Sequence, residues 1–281
     1  MEWRGKRGSR NVEDRRRMGG AGAGGVGIVG MLAVLAFGYF FGIDISPLVS
    51  GVSQSQQSGE PRELTAAEQE MGDFASVILA ETEDVFGQVA SEEAGIRYSD
   101  PQMVLYSGVT QSGCGGASSQ MGPFYCPADQ KIYLDTDFFT VMEQRMGAGG
   151  DLAAAYVIAH EVGHHVQNEF GILPQVTQMR QQASERDSNF LSVLTELQAD
   201  CFAGMWARNS TQDLAITRED IGEAMNAAAA VGDDALMQSA GRAVVPDAFT
   251  HGSSEDRQEW FMRGYESGSL SACNTFKEAG L

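Results

Sequence analysis

Positive charge is scarce over most of this 281-residue chain. Residues 1–25 hold seven basic side chains (Arg4, Lys6, Arg7, Arg10, Arg15, Arg16, Arg17) against three acids. That leaves 12 of the 19 basic and 35 of the 38 acidic side chains for the other 256 residues, a net charge of −23. A body so acidic repels nucleic-acid backbones and anionic headgroups, which speaks against nucleic acid as a partner. Cysteine is also sparse: Cys114, Cys126, Cys201 and Cys273 lack C-x-x-C spacing, so a cysteine-rich zinc knuckle does not fit. No long internal repeat is visible, and there is one long apolar run.

That run is "VGIVGMLAVLAFGYFFGI", residues 26–43, 18 residues without a charge. At 1.5 Å rise per residue it just crosses a bilayer core of about 30 Å. The cations before it predict a cytoplasmic N-terminus, and Tyr39, Phe40 and Phe41 suit the opposite interface. A cleaved signal peptide, releasing a soluble secreted enzyme, is the alternative. Its apolar region would be shorter, and no A-x-A site follows in "GIDISPLVSG". The expected organisation is a basic cytoplasmic tail (1–25), one transmembrane helix (26–43), a flexible Ser/Gln-rich linker (44–64) and a domain (65–281). The protein is then single-pass in the cytoplasmic (inner) membrane, with its domain periplasmic or extracellular.

Disulfides persist on that side. Four cysteines allow three pairings. Cys114 with Cys126 is favoured because "CGGASSQMGPFYC" reads as a Gly/Ser loop that a staple would fix, leaving Cys201 with Cys273. Small buried thiols are the other reading.

From Thr65 the apolar residues Met71, Phe74, Val77, Ile78, Val85 and Phe86 recur at helical spacing. "QMVLYSG" and "KIYLDTDFF" read as strands. Helices are expected over about 151–170, 184–208, 217–230 and 253–267, with capping-box starts at Thr217–Asp220 and Ser253–Asp256. A few strands followed by helices make one α+β domain.

"AAAYVIAHEVGHHVQNEFG" contains three of the four histidines. On a helix His160 and His164 lie one turn apart on one face and can share a tetrahedral metal. Glu161, one step round, can reach a water at that metal without being a ligand. His165 points about 100° away from His164 and reads as a polar residue at the helix rim. Tyr156 reads as core.

A catalytic zinc takes three protein ligands and leaves a position open. "ELQAD" supplies the candidate. Glu196 and Asp200 are i and i+4 on a helix with apolar Phe190, Leu191, Leu194, Leu197 and Phe202. Acids on such a helix are costly to bury without partners. Glu196 would ligate the metal, and Asp200 would accept the spare N–H of a ligating histidine. A solvated acidic stripe is the competing reading. A closed structural site on a non-catalytic scaffold fits less well, because such sites usually have four ligands, rich in cysteine. "VGDD" (Gly232, Asp233, Asp234) suggests only a helix start.

H-E-x-x-H followed by E-x-x-A-D resembles the gluzincin peptidases, especially the integral-membrane branch related to the CAAX prenyl proteases. Closer still is the bacterial neutral zinc metallopeptidase family. The similarity runs through "WRGKRGSRNVEDRRR", "GCGGASSQMGPFYCPADQKIYLD", "YVIAHEVGHHVQ", "ELQADCFAG", "VGDD" and "RAVVPDAFTHGSSEDRQEWF". The resemblance implies a zincin-like α+β domain that holds one Zn2+ per chain on His160, His164 and Glu196. Glu161 would be the catalytic base and a peptide or protein the substrate. It implies that "KIYLDTDFF" is the strand that pairs with an extended substrate. It also points to His251 as a donor to the oxyanion, although the histidine there is commonly followed by proline and here by Gly252.

Overall fold

A computed structural model describes residues 1–17 and 62–281. The expected transmembrane helix (26–43) and all but the last residues of the linker lie outside the described residues. Among the described residues, no helix is long and apolar enough to cross a membrane.

The domain is a small mixed sheet packed on helices. Helix α1 (Ala66–Val89) starts at a capping box in which Thr65 and Glu68 satisfy each other's backbone N–H. The sheet has the order β1-β2-β6-β5, from β1 (Val12–Asp14), β2 (Gln102–Tyr106), β5 (Phe124–Cys126) and β6 (Lys131–Asp135). β1 and β6 run parallel to β2, and β5 runs antiparallel to β6. β3 (Val109–Ser112) and β4 (Gly115–Ser118) form a separate hairpin. Helices α2 (Asp137–Met146), α3 (Asp151–Glu169), α4 (Ile172–Gln182), α5 (Glu185–Asn209), α6 (Arg218–Ala230), α7 (Asp233–Ser239), α8 (Ser254–Ser267) and α9 (Thr275–Glu278) complete it. The mixed α+β character is as expected.

Two expectations change. "KIYLDTDFF" is a strand only to Asp135, and Asp137 opens α2. β6 lies between β2 and β5, so neither of its edges can take a substrate strand. Residues 1–17, expected as a tail apart from the domain, are packed on it. β1 is a strand of its sheet, and Trp3, 6 % exposed, belongs to its core.

α3 runs through the core, with Leu152, Ala153, Ala155, Ile158, Ala159 and Val162 buried. Two glycines let α5 and α8 approach almost backbone to backbone. A Cβ at Gly204 would sit 1.9 Å from the Phe261 carbonyl oxygen, and one at Gly264 1.9 Å from that of Cys201. The Cys201–Cys273 disulfide ties α5 to the segment before α9, and Cys114–Cys126 ties the β3–β4 turn to β5. Both favoured pairings are therefore present.

Candidate metal centre

His160 and His164 leave α3 one turn apart and meet Glu196 from α5. One ligand atom from each lies within 4.8 Å of the others. His160 Nε2 is 3.1 Å from Glu196 Oε2, and His164 Nε2 is 3.5 Å from Oε1. Ligands 2.0–2.1 Å from a tetrahedral zinc would be about 3.3 Å apart, so this donor set fits that ion.

The groups behind the imidazoles make the same case. Asp200, fully buried, takes the Nδ1–H of His160 at 2.8 Å. It also accepts from the Tyr156 hydroxyl (2.5 Å) and from Arg257 Nε (2.8 Å) and Nη2 (3.0 Å). Arg257 is 4 % exposed, so its charge balances a carboxylate that has no water. Burial opposes ionisation of Asp200, but Arg257 and His160 outweigh it and hold the carboxyl below its usual range. Since a carboxylate only accepts, His160 carries its proton on Nδ1 and offers Nε2 to the site.

His164 is set by an amide. Gln167 donates through Nε2 to the Thr195 carbonyl at 2.7 Å and to Gln198 Oε1 at 3.1 Å. That turns its Oε1 to His164 Nδ1 at 2.8 Å. Nδ1 must therefore be the donor, and Nε2 is again free. Gln198 in turn donates to the Cys273 carbonyl at 2.8 Å, next to the disulfide. Both imidazoles thus give Nδ1–H to an acceptor and turn Nε2 toward one carboxylate, where a divalent cation can take the place of a proton. Burial disfavours charge on His160, but Asp200 and Glu196 prevail and lift it to about 10. The field that favours a proton there favours a metal cation equally.

Glu161 is buried beside the cluster. Loss of water raises its pKa, partly offset by His164, His160 and the Tyr125 backbone of β5. His165 is not a rim residue. It is 1 % exposed, with Nε2 donating to the Ser99 carbonyl at 2.6 Å and Nδ1 accepting from the Tyr125 hydroxyl at 3.1 Å. It thereby positions β5 against α3. Tyr156 is core, as expected, but its hydroxyl also serves Asp200.

His251 lies on the loop before α8. Asp233 Oδ2 accepts the backbone N–H groups of Thr250 (2.7 Å), His251 (2.6 Å) and Gly252 (3.0 Å), and Oδ1 faces His251 Nδ1 at 3.1 Å. Gly252 has φ +98°, which proline cannot adopt, and packs on Leu197, one residue past Glu196. The glycine after His251 is therefore a requirement of this loop. Asp233 does more than start a helix. Gln167, Arg257 and Asp233 had no local signal beyond their polarity, because their partners lie on other helices or loops.

A helix bearing H-E-x-x-H and a second helix bearing Glu196 thus bring two imidazoles and a carboxylate together as a group that could hold a metal ion, with acceptors behind both imidazoles. The chain belongs to the family described as "putative neutral zinc metallopeptidase", which it matches over residues 1–276. It is 48 % identical to the uncharacterized protein YpfJ of Escherichia coli (strain K12) over 286 residues, covering 98 % of this chain and 99 % of that one. It is 45 % identical over 195 residues to the uncharacterized protein Rv2575 of Mycobacterium tuberculosis (strain ATCC 25618 / H37Rv), covering 66 % and 65 %. No solved structure matches.

Proposed function

We propose that this protein is a zinc-dependent endopeptidase. The observation that carries the reading is the convergence of His160 Nε2, His164 Nε2 and Glu196 beside the buried carboxylate of Glu161. Zinc, when bound there, supplies Lewis acidity toward a carbonyl and makes water a nucleophile near neutral pH. Glu161 accepts the proton of the attacking water and passes it to the leaving amine, a task its raised pKa suits. His251 donates to the oxyanion. An extended peptide pairs with β5, whose outer edge is unpaired among the described residues and whose Tyr125 lies toward Glu161. The domain works outside the cytoplasm, where its two disulfides persist.

The test uses the full chain against a broad peptide library, with elemental analysis alongside. The parent should hold about one zinc and cleave, with a chelator stopping cleavage. Glu161→Gln should keep the zinc and lose turnover. Cleavage by Glu161→Gln at the parent rate would refute this role. Zinc binding without cleavage of any peptide would favour a scaffold.

A further inference from the structure

We infer that residues 1–17 and the domain of residues 62–281 lie on the same side of any membrane this chain meets, because the described residues on either side of 18–61 meet at one place. The contact is specific along its length. Asn11 to Arg15 extend the sheet, with Met103 N donating to the Asn11 carbonyl at 2.8 Å and Arg15 N to the Leu105 carbonyl at 2.8 Å. Glu83, nine-tenths buried, accepts from the Ser9 hydroxyl and from Asn11 Nδ2 (2.8 Å). Trp3 packs edge-on against Phe74 at 5.3 Å, and its indole N–H reaches Asp151, the first residue of the H-E-x-x-H helix, at 3.1 Å.

Arg16 and Arg62, the described arginines before and after residues 18–61, meet at one residue. Arg16, 5 % exposed, pairs with Asp14 (2.7 Å) and donates to the Glu68 carbonyl. Its guanidinium fills the space at Gly72, where a Cβ would lie 2.3 Å from Nη2. Arg62 Nη2 donates to the side chain of the same Glu68. A single crossing would hold these ends at least about 30 Å apart, the thickness of a bilayer core. Contact with Glu68 and separation by a bilayer exclude each other.

The tail's cations have a second explanation in this arrangement. Arg4 pairs with Glu70, and Arg7 lies 2.7 Å from Asp84 and 3.7 Å from Glu83, so a basic segment is matched to an acidic helix. The exposed pairs, Arg4–Glu70 and Arg7–Asp84, add little energy. A cleft of about 630 Å³ remains beside Arg4–Lys6, so docking rests on Trp3 at one end and Ser9–Arg16 at the other.

An engineered cross-link tests this directly. An ideal Cβ at Gly8 lies 3.6 Å from Ser76 Cβ, within the 3.5–4.5 Å that a disulfide spans. Full-length protein carrying Gly8→Cys and Ser76→Cys should form a bond between positions 8 and 76 of one chain when cells are treated with diamide, a membrane-permeant oxidant. In separate single variants, Arg10→Cys and Glu219→Cys should react with a membrane-impermeant maleimide from the same side. Labelling from opposite sides overturns the inference. So does a cross-link found only between two chains, or none at all in double-variant protein that melts like the parent.

Discussion

An imidazole binds a metal through the nitrogen that lacks a proton, so the partner behind each histidine matters as much as the ligand set itself. For His160 that partner is an aspartate with a buried arginine behind it. For His164 it is Gln167, oriented by the Thr195 carbonyl. Gln167→Met keeps the bulk and removes the acceptor, and should weaken zinc binding on the order of tenfold to a hundredfold. Chelator competition measures this without any substrate. Gln167→Glu retains an acceptor and should recover much of the loss. Parent affinity in Gln167→Met would show that His164 needs no such support. A different logic holds at His251. Its Nδ1–H points at Asp233, so its Nε2 carries a proton only as imidazolium. The bond to Asp233 raises the His251 pKa, partly opposed by burial. An oxyanion donor of this kind is present below that pKa and lost as pH rises through it. Asp233→Asn should therefore move the alkaline limb of kcat to lower pH and leave the zinc content unchanged. An unmoved limb would remove His251 from the reaction.

At the scale of the element, what could be read from the sequence was whatever is local. The helix starts at Thr217 and Ser253 need only residues three apart and both are as expected, while Thr65, where the helical spacing begins, caps α1 with Glu68 in the same way. The pairing of H-E-x-x-H with E-x-x-A-D survives because one helical turn fixes which side chains share a face. The strands fared worse for a physical reason. β1 and β5 are three residues each, too short for a period-2 pattern to show. The DFF of "KIYLDTDFF" looks like strand until Asp137, bonded through its N–H to Asp135 Oδ1, turns it into α2. Arg257 was unreadable as a partner of Asp200, since 57 residues separate them. What unites them is the glycine contact of α5 with α8, where Gly204 and Gly264 leave no room for a side chain. A glycine signals a possible close approach, not the element that approaches.

For the molecule as a whole, the N-terminal segment decides how the chain is put together. Composition alone made it a topogenic tail, because seven cations before an apolar run have a standard meaning at a membrane. Its detailed spelling has another meaning, legible only with the partners in place: a tryptophan for the core, Ser9 and Asn11 for Glu83, and Arg16 for the space at Gly72. So packed, the segment contributes to folding. Trp3 is buried, packed edge-on against Phe74 and hydrogen-bonded to Asp151 at the start of α3, the helix that carries His160, Glu161 and His164. Trp3→Ala removes a large buried ring and leaves part of its cavity unfilled, a change that costs about 3 kcal/mol. It should lower the melting temperature of the full-length protein by several degrees. A free tail on the far side of a bilayer would give no such effect, because nothing in the domain would touch it. Calorimetry of the purified protein separates the two. A melting temperature within a degree of the parent would return residues 1–17 to the role of a tail, while a clear drop makes them a part of the zinc domain that the apolar segment interrupts.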